Sequence, residues 1–138
     1  MNTKILVFSM FLMCVLVLGT LRVLRTPRPA VSAAEEQALI ATIKLRSGDM
    51  GNTEERGRIA ALEDQLAEAI KHSGAGDFDG DEYGAGVCTI YMYGPNADRL
   101  FGVTLPILKK FHALAGSYLT KRYGKPGAKE NRIPLTGD

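Results

Sequence analysis

The stretch DFDGDEYGAGVCTIYMYGPNAD, residues 77–98, has the clearest structural pattern in the sequence. Residues 87–93 are apolar or β-favouring at every position, which predicts a central strand, buried on one face and partly covered on the other. The glycines and carboxylates of residues 79–86 predict a solvated turn before that strand. Gly94 ends the strand, and Pro95 is suited to the first position of a following helix.

A second strong pattern lies upstream and predicts a helix. Asn52 and Glu55 have the spacing of a capping box, and Gly74 is suited to the left-handed residue that ends a helix. The same reading of periodicity places the other elements along the chain. They are strands over 39–45 and 75–79, a helix that begins at Pro95 and whose apolar face spans 100–111, and strands over 117–123 and 131–135.

The resulting order is β-α-β-β-α-β with a short strand at the end, which is typical of an α+β fold. A split β-α-β unit of this kind gives an antiparallel sheet with two helices on one face, the ferredoxin-like arrangement. We expect this globular domain over residues 35–138. A Pro-rich linker at residues 26–34 should precede it, stiffened by Pro27 and Pro29.

An uncharged apolar segment lies near the start of the chain. Residues 5–21 are seventeen residues without a charge, enough for about 25 Å of helix, which is at the short end of what crosses a bilayer. We therefore predict a single N-terminal transmembrane helix, an uncleaved signal-anchor, within residues 1–25. The alternative is a cleaved signal peptide, for which Val31, Ser32 and Ala33 offer the small-residue spacing of a cleavage site.

Positive charges on either side of that segment bear on its orientation. Lys4 precedes the segment, whereas Arg22, Arg25 and Arg28 follow it. The more basic flank is normally kept in the cytoplasm, so we expect a single-pass membrane protein whose globular domain faces the cytoplasm. Insertion in the other direction would place the domain in the periplasm, and cleavage would release it as a secreted protein.

Composition limits the classes of function. The chain has 138 residues, 46% of them apolar and 23% charged, as in an ordinary globular domain. Its net charge of +2 comes from the N-terminal end, and the part after residue 25 has 14 basic and 15 acidic residues, so we expect no nucleic-acid partner. The two cysteines are too few for a disulfide scaffold or a cysteine-rich zinc site. Nothing in the sequence indicates a cofactor.

Asp79, Asp81 and Glu82 form an acidic group in the predicted turn. The stretch resembles the opening of an EF-hand loop, in which alternating carboxylates bind calcium. The EF-hand pattern then fails, because Glu82 stands where the loop needs glycine and Cys88 where it needs a bidentate glutamate. We therefore expect no metal site and keep the three carboxylates as candidate binding residues for a basic partner.

Tyr91 and Tyr93 lie two residues apart in the predicted central strand, so their side chains share one face of the sheet. If both helices cover the other face, this one stays open. Single-stranded RNA binders stack bases on such a face, but the RNA-binding signature is absent from the sequence, and cross-strand tyrosines often only stabilise a sheet. We keep both tyrosines as candidate binding residues for another protein or a second copy.

Two runs of the sequence resemble a family of small uncharacterised bacterial proteins. In residues 79–98 an Asp-Gly-x-Glu turn precedes a Tyr-x-Tyr-Gly-Pro strand end and a helix, and residues 122–127 match an Arg-Tyr-Gly-x-Pro-Gly close. The resemblance covers residues 80–135 and leaves out the apolar segment. It implies a compact α+β domain of bacterial origin. No known activity is assigned to that family, so the resemblance implies no functional residue.

Recognisable catalytic motifs are absent from the sequence. It contains no Gly-x-Ser-x-Gly elbow, no Walker loop, no His-Glu-x-x-His and no Cys-x-x-Cys, so we expect that the protein is not an enzyme. We predict a membrane-tethered, non-enzymatic domain that binds another protein or itself. Two alternatives stay open: an immunity-like or inhibitor protein that uses its acidic turn, and a small metal-dependent hydrolase.

Overall fold

Residues 36–135 are described by a computed structural model. They form an α+β fold with a five-stranded antiparallel sheet and two helices, which confirms the predicted class and the predicted order of elements. In chain order the elements are β1 (Gln37–Lys44), α1 (Thr53–Ser73), β2 (Asp77–Gly84), β3 (Val87–Gly94), α2 (Ala97–Lys110), β4 (Tyr118–Arg122) and β5 (Glu130–Pro134).

The sheet has the strand order β2-β3-β1-β4-β5, and every neighbouring pair is antiparallel. Strand β1 lies at the centre, where Ala41 pairs with Ile90 of β3 on one side and with Leu119 of β4 on the other. The edge strands are β2 and β5. The first strand is therefore in the middle of the sheet, between β3 and β4, while β2 and β5 are kept far apart.

Helix α1 begins and ends where its sequence indicates. The Asn52 side chain accepts a hydrogen bond from the Glu55 backbone N–H at 2.9 Å, and the Glu55 carboxylate accepts one from the Asn52 N–H at 3.4 Å. That carboxylate also accepts from the backbone N–H groups of Arg46 (2.6 Å) and Ser47 (3.0 Å), which ties the loop after β1 to the helix. Gly74, at φ 62°, is the left-handed stop. Both predicted caps are confirmed.

Helix α2 begins two residues later than the sequence predicted. Asn96 is its cap, because its side-chain oxygen accepts a hydrogen bond from the Arg99 backbone N–H at 2.9 Å, and the first helical residue is Ala97. Pro95 lies before the cap. An asparagine oxygen can satisfy one of the free N–H groups at the start of a helix, which proline cannot do, so Asn96 sets the boundary.

The apolar core lies between the helices and one side of the sheet, here called the helix side. A salt bridge on the same side joins Lys121 of β4 to Asp98 of α2, with 2.5 Å between nitrogen and oxygen. The alternation of buried side chains along the strands follows the two-residue period of a sheet. The largest core side chains from the sheet are Leu39, Ile43, Ile90, Met92 and Leu119, and those from the helices are Leu66, Ile70, Leu100 and Leu108.

The acidic stretch that the sequence predicted as a turn is mostly a strand. β2 occupies Asp77–Gly84, and only Ala85 and Gly86 connect it to β3. Both have positive φ (52° and 74°), as a two-residue type I′ hairpin requires. The register shifts between Phe78 and Gly80, which marks a β-bulge. Pairing with β3 outweighs the low strand propensity of aspartate and glycine, a tertiary effect that local sequence does not reveal.

The predicted transmembrane anchor at residues 1–25 and the linker at residues 26–34 lie outside the described residues. The predicted globular domain, 35–138, extends slightly past them at both ends. Between residues 36 and 135, neither helix has the length and apolar character that crossing a membrane requires.

Candidate functional site

The side of the sheet away from the helices brings the two predicted tyrosines together. Side chains alternate along each strand, so residues in register with Tyr91 and Tyr93 point to the same side. We call this side the open face; its main members are Ile40 of β1, Val87, Tyr91 and Tyr93 of β3, and Tyr118 and Thr120 of β4. Within residues 36–135 no helix or strand covers it. Its small side chains Ala38, Thr42 and Thr120 are nevertheless buried, whereas the tyrosines and Ile40 are partly exposed.

A carboxylate lies beside the tyrosines on the open face. The Tyr91 hydroxyl donates a hydrogen bond to the Glu82 carboxylate on the neighbouring strand β2. That hydrogen bond, with smaller contributions from burial and from the charge of Glu82, raises the pKa of Tyr91 to about 12. Tyr91 is therefore a neutral donor at physiological pH, and Glu82 is held at the β2 end of the face.

Arginines lie over the aromatic rings at the other end of the open face. The guanidinium carbon of Arg122 is 5.9 Å from the ring centre of Tyr93, and that of Arg132 is 4.1 Å from the ring centre of Tyr118. Both distances are within the range of cation–π attraction. The face therefore combines an aromatic and aliphatic centre with positive charge towards β4 and β5.

The uneven charge of the sequence becomes a difference between the two edges of the sheet. β2 has four acidic residues and no basic one. Residues 118–134, which hold β4, β5 and the loop between them, have five basic residues and one acidic residue. β2 is therefore an acidic edge strand. On the other side of β1 the positive charge lies mainly on β4 and in the loop after it, since β5 itself has one basic residue, Arg132, and one acidic residue, Glu130.

The three predicted acidic residues do not converge on one site. Asp79 lies at the bulge and is exposed, Asp81 points to the helix side in register with Ile90, and Glu82 points to the open face. Successive strand residues point to opposite sides of a sheet, so this stretch cannot surround an ion as an EF-hand loop does. Glu82 is the one that joins Tyr91 and Tyr93.

A second cluster, which the sequence did not reveal, lies on the helix side at the β2 edge. One oxygen each of Glu63 and Asp81 and the sulfur of Cys88 all lie within 4.8 Å of one another. The Cys88 thiol donates to the Asp81 carboxylate at 3.8 Å. The available signal was the position of Glu63 in α1, four residues after Ile59 and three before Leu66, at the border of the buried stripe.

Two of the three groups in this cluster, Glu63 and Cys88, keep their protons to a higher pH than usual. Burial, and then the nearby charge and hydrogen bond of Asp81, raise the pKa of Glu63 to about 7. The Glu63 Oε1 atom is buried and has no hydrogen-bond partner among residues 36–135, so negative charge on this carboxyl is poorly compensated. Burial raises the pKa of the Cys88 thiol to about 12. Three such donors are the number that catalytic zinc takes, but a metal would have to displace these protons.

We expect the stability of the domain to fall as the pH rises from 4.5, the ordinary pKa of Glu63, to about 7, its pKa in the fold. In that window the unfolded chain has lost the Glu63 proton and the folded chain still holds it, so the free energy of unfolding decreases with pH. Because the carboxyl is only partly buried, we expect a loss of about 1–2 kcal/mol. Glu63→Gln should remove this loss, as measured by urea unfolding at several pH values.

Glu68→Gln is the matched control for that measurement, because Glu68 is exposed on the same helix. This variant should unfold with the wild-type pH dependence. If Glu63→Gln also kept the wild-type pH dependence of unfolding, Glu63 would not be the group whose ionisation lowers the stability. At a pH of about 8 the Glu63→Gln protein should be more stable than the Glu68→Gln protein. The Glu68→Gln protein still holds an ionised, partly buried carboxylate at Glu63, which destabilises the fold.

Comparison with known proteins assigns no family to this arrangement. No protein-family model, no curated protein and no solved structure matches the chain. The functional assignment therefore rests on the chemistry of the residues. The open face presents aromatic rings between opposite charges, which suits binding, and the Glu63 cluster brings two carboxylates and a thiol together on the helix side.

Proposed function

We propose that this protein is a membrane-tethered, non-enzymatic domain that uses its open face to bind protein. The observation that carries the proposal is that Tyr91, Tyr93 and Tyr118 stand on a side of the sheet that no helix or strand of residues 36–135 covers. Tyrosine offers a large apolar ring and a polar hydroxyl together, and it is enriched at protein interfaces. Partly exposed aromatic rings on an uncovered sheet face favour binding over simple solvation.

The arrangement of elements supports a ferredoxin-like fold with one added strand. The order β2-β3-β1-β4 is that of a split β-α-β unit, and β5 extends it at the β4 edge. Both helices contribute to the core that contains Leu39 and Ile90. With the helices on that side, no helix or strand of residues 36–135 covers the opposite side, which is why we assign the binding role to it.

The tether and the orientation in this proposal rest on the sequence. Residues 5–21 have the apolar length of a short membrane span, and the arginines that follow favour a cytoplasmic domain. A domain held at a membrane meets its partners in two dimensions, where a modest affinity is sufficient. This suits an interface of the size that one face of a small sheet offers.

The non-enzymatic part of the proposal rests on the protonation of the Glu63 cluster. Because burial raises the pKa of the Cys88 thiol to about 12, that thiol is a poor nucleophile at neutral pH. An oxygen of Glu63 lies within 4.8 Å of an oxygen of Asp81, and burial together with the charge of Asp81 raises the pKa of Glu63 to about 7. Asp81 and Glu82 point to opposite sides of β2. We therefore favour the open face over an inhibitor or hydrolase function built on the acidic stretch.

Photo-cross-linking from position 93 tests the proposed function. A photoreactive phenylalanine analogue replaces Tyr93 in the full chain, and the expressing cells are irradiated. We expect a cross-linked product heavier than the chain, because a bound protein would contact this position. The matched control places the same analogue at Glu68, which is exposed on α1, and it should give no product. Products from position 68 alone, or from neither position, would refute the proposal.

A further inference from the structure

The open face is complementary to itself, and this indicates what covers it. Glu82 on β2 and Arg132 on β5 lie towards opposite edges of the sheet, with β1 midway between them. A two-fold rotation about an axis parallel to β1 exchanges the two edges. Two copies related in this way place Glu82 over the row of the other copy that holds Tyr118 and Pro134, and in that row the Arg132 guanidinium carbon lies 4.1 Å from the centre of the Tyr118 ring. In the row of Tyr93, Asp77 faces Glu130 of the other copy, so the charge match at the edges is that of Glu82 with Arg132.

We propose that the open face binds the open face of a second copy of this chain, with the two-fold axis parallel to β1. The inference rests on the proposed function, because it names the partner of the same face. In this pair β1 lies over β1, β3 over β4 and β2 over β5 of the second copy. Sheets that pack face to face keep their strand directions within about 30°, so the strands stay close to this alignment.

Side-chain sizes match under the same rotation. Residues paired in register across neighbouring strands form a row of the sheet, and one such row contains Tyr91 of β3, Ile40 of β1 and Thr120 of β4. The rotation therefore places the large ring of Tyr91 over the small Thr120 of the second copy. Ile40, on the axis, meets Ile40 of the second copy, as residues on the axis of an isologous interface do.

The two adjacent rows of the sheet show the same fit. Thr89 and Tyr118 flank β1 in one row, so the large Tyr118 lies over the small Thr89 of the second copy. Tyr93 and Arg122 flank β1 in the other row. The rotation brings the Tyr93 ring over the Arg122 guanidinium of the second copy, which adds a cation–π contact to the apolar ones.

The size of the face is sufficient for a pair. Five strands at about 4.8 Å spacing and about 20 Å of strand length give a rectangle of roughly 24 by 20 Å. Two such faces bury on the order of 1,000 Å² in total, which is the lower end for a specific interface. We therefore expect a dissociation constant in the micromolar range, with the apolar rows supplying affinity and the charged edges supplying orientation.

Mixing two charge-reversed variants tests the geometry. Glu82→Arg and Arg132→Glu are each made in the full chain, held in one mild detergent, and self-association is measured by analytical ultracentrifugation. Each variant alone puts like charges opposite one another at both edges, so we expect its dimer to be at least about tenfold weaker than the wild-type dimer. An equimolar mixture pairs opposite charges at both edges, and we expect it to recover affinity to within about threefold of wild type.

Glu68→Arg and Lys109→Glu are the matched controls, because both residues are exposed on the helices. Each should associate as the wild type does. Thermal unfolding of the edge variants should show an intact fold, since Glu82 and Arg132 are both exposed. Association that is unchanged by either edge variant would overturn the proposal and point to residues outside the open face.

Two further results separate this proposal from the proposed function. If the mixture associates no better than the single variants, the second copy does not sit with its axis parallel to β1, and the proposal is wrong. If the wild-type chain is monomeric but position 93 cross-links to a different protein, the second-copy proposal fails and the proposed function stands. If the wild-type chain is monomeric and position 93 gives no cross-linked product, both the second-copy proposal and the proposed function are refuted.

Discussion

Gly94→Ala is expected to lower the free energy of unfolding by more than about 3 kcal/mol. A Cβ atom at Gly94 would lie 2.4 Å from the backbone oxygen of Ala75, and one at Gly76 would lie 2.0 Å from the backbone oxygen of Tyr93. The obstacle in both cases is main chain, which cannot rotate away as a side chain can. The segment entering β2 and the end of β3 approach so closely that only glycine fits at both positions. Urea unfolding followed by circular dichroism measures the loss, and Gly76→Ala should behave alike.

Gly57→Ala is the matched control and should change stability in the opposite direction. Gly57 is exposed in α1, and a Cβ built there meets no atom within 4 Å. Alanine has a higher helix propensity than glycine, so we expect a gain of about 0.5–1 kcal/mol. If Gly94→Ala unfolded like the wild type while Gly57→Ala showed its gain, the close approach of the two backbones would be disproved.

Leu39→Ala is expected to cost about 3 kcal/mol, whereas Ile40→Ala, at the next residue, should cost about 1 kcal/mol or less in the dilute protein. Leu39 is 0% exposed on the helix side, and its removal leaves a cavity between β1 and the helices. Ile40 is half-buried and points to the open face, so its truncation leaves no enclosed space. Urea unfolding of both variants at the same low protein concentration gives the comparison.

The same pair of variants reports on the covering of the open face. When the protein concentration is raised enough for copies to associate, Ile40→Ala should lose more stability than it does in the dilute protein, because pairing stabilises the folded state. Leu39→Ala should show no such increase. Equal costs for the two variants at high dilution would mean that another part of the same chain covers Ile40, contrary to our proposal.

Elements with local signals could be predicted from the sequence. The capping box of Asn52 and Glu55 and the stop at Gly74 are formed within α1 and its flanks, so short-range spacing was sufficient. β2 could not be predicted over its full length, because its aspartates and glycines are typical of turns. Its strand conformation depends on pairing with β3, whose hydrogen bonds come from residues beyond the hairpin turn.

The candidate site also contains some features that the sequence predicts and others that it does not. The shared side of Tyr91 and Tyr93 follows from the two-residue period of a strand, and the structure places them together. The bulge before Gly80 sets which of the later β2 carboxylates joins them, and this depends on register, which the sequence does not give. The contact of Glu63 with Asp81 joins two elements that are distant in sequence, so no spacing rule could reveal it.

The bulge in β2 also bears on how safely a cell can accumulate this protein. Unprotected strand edges let copies add one after another into fibrils. Here the bulge between Phe78 and Gly80 interrupts the outer row of backbone groups, and the carboxylates of β2 repel another copy of the same strand. At the opposite edge, β5 contains Pro134, which has no backbone N–H to offer. Both edges of the sheet are therefore poor templates for the strand addition that starts amyloid.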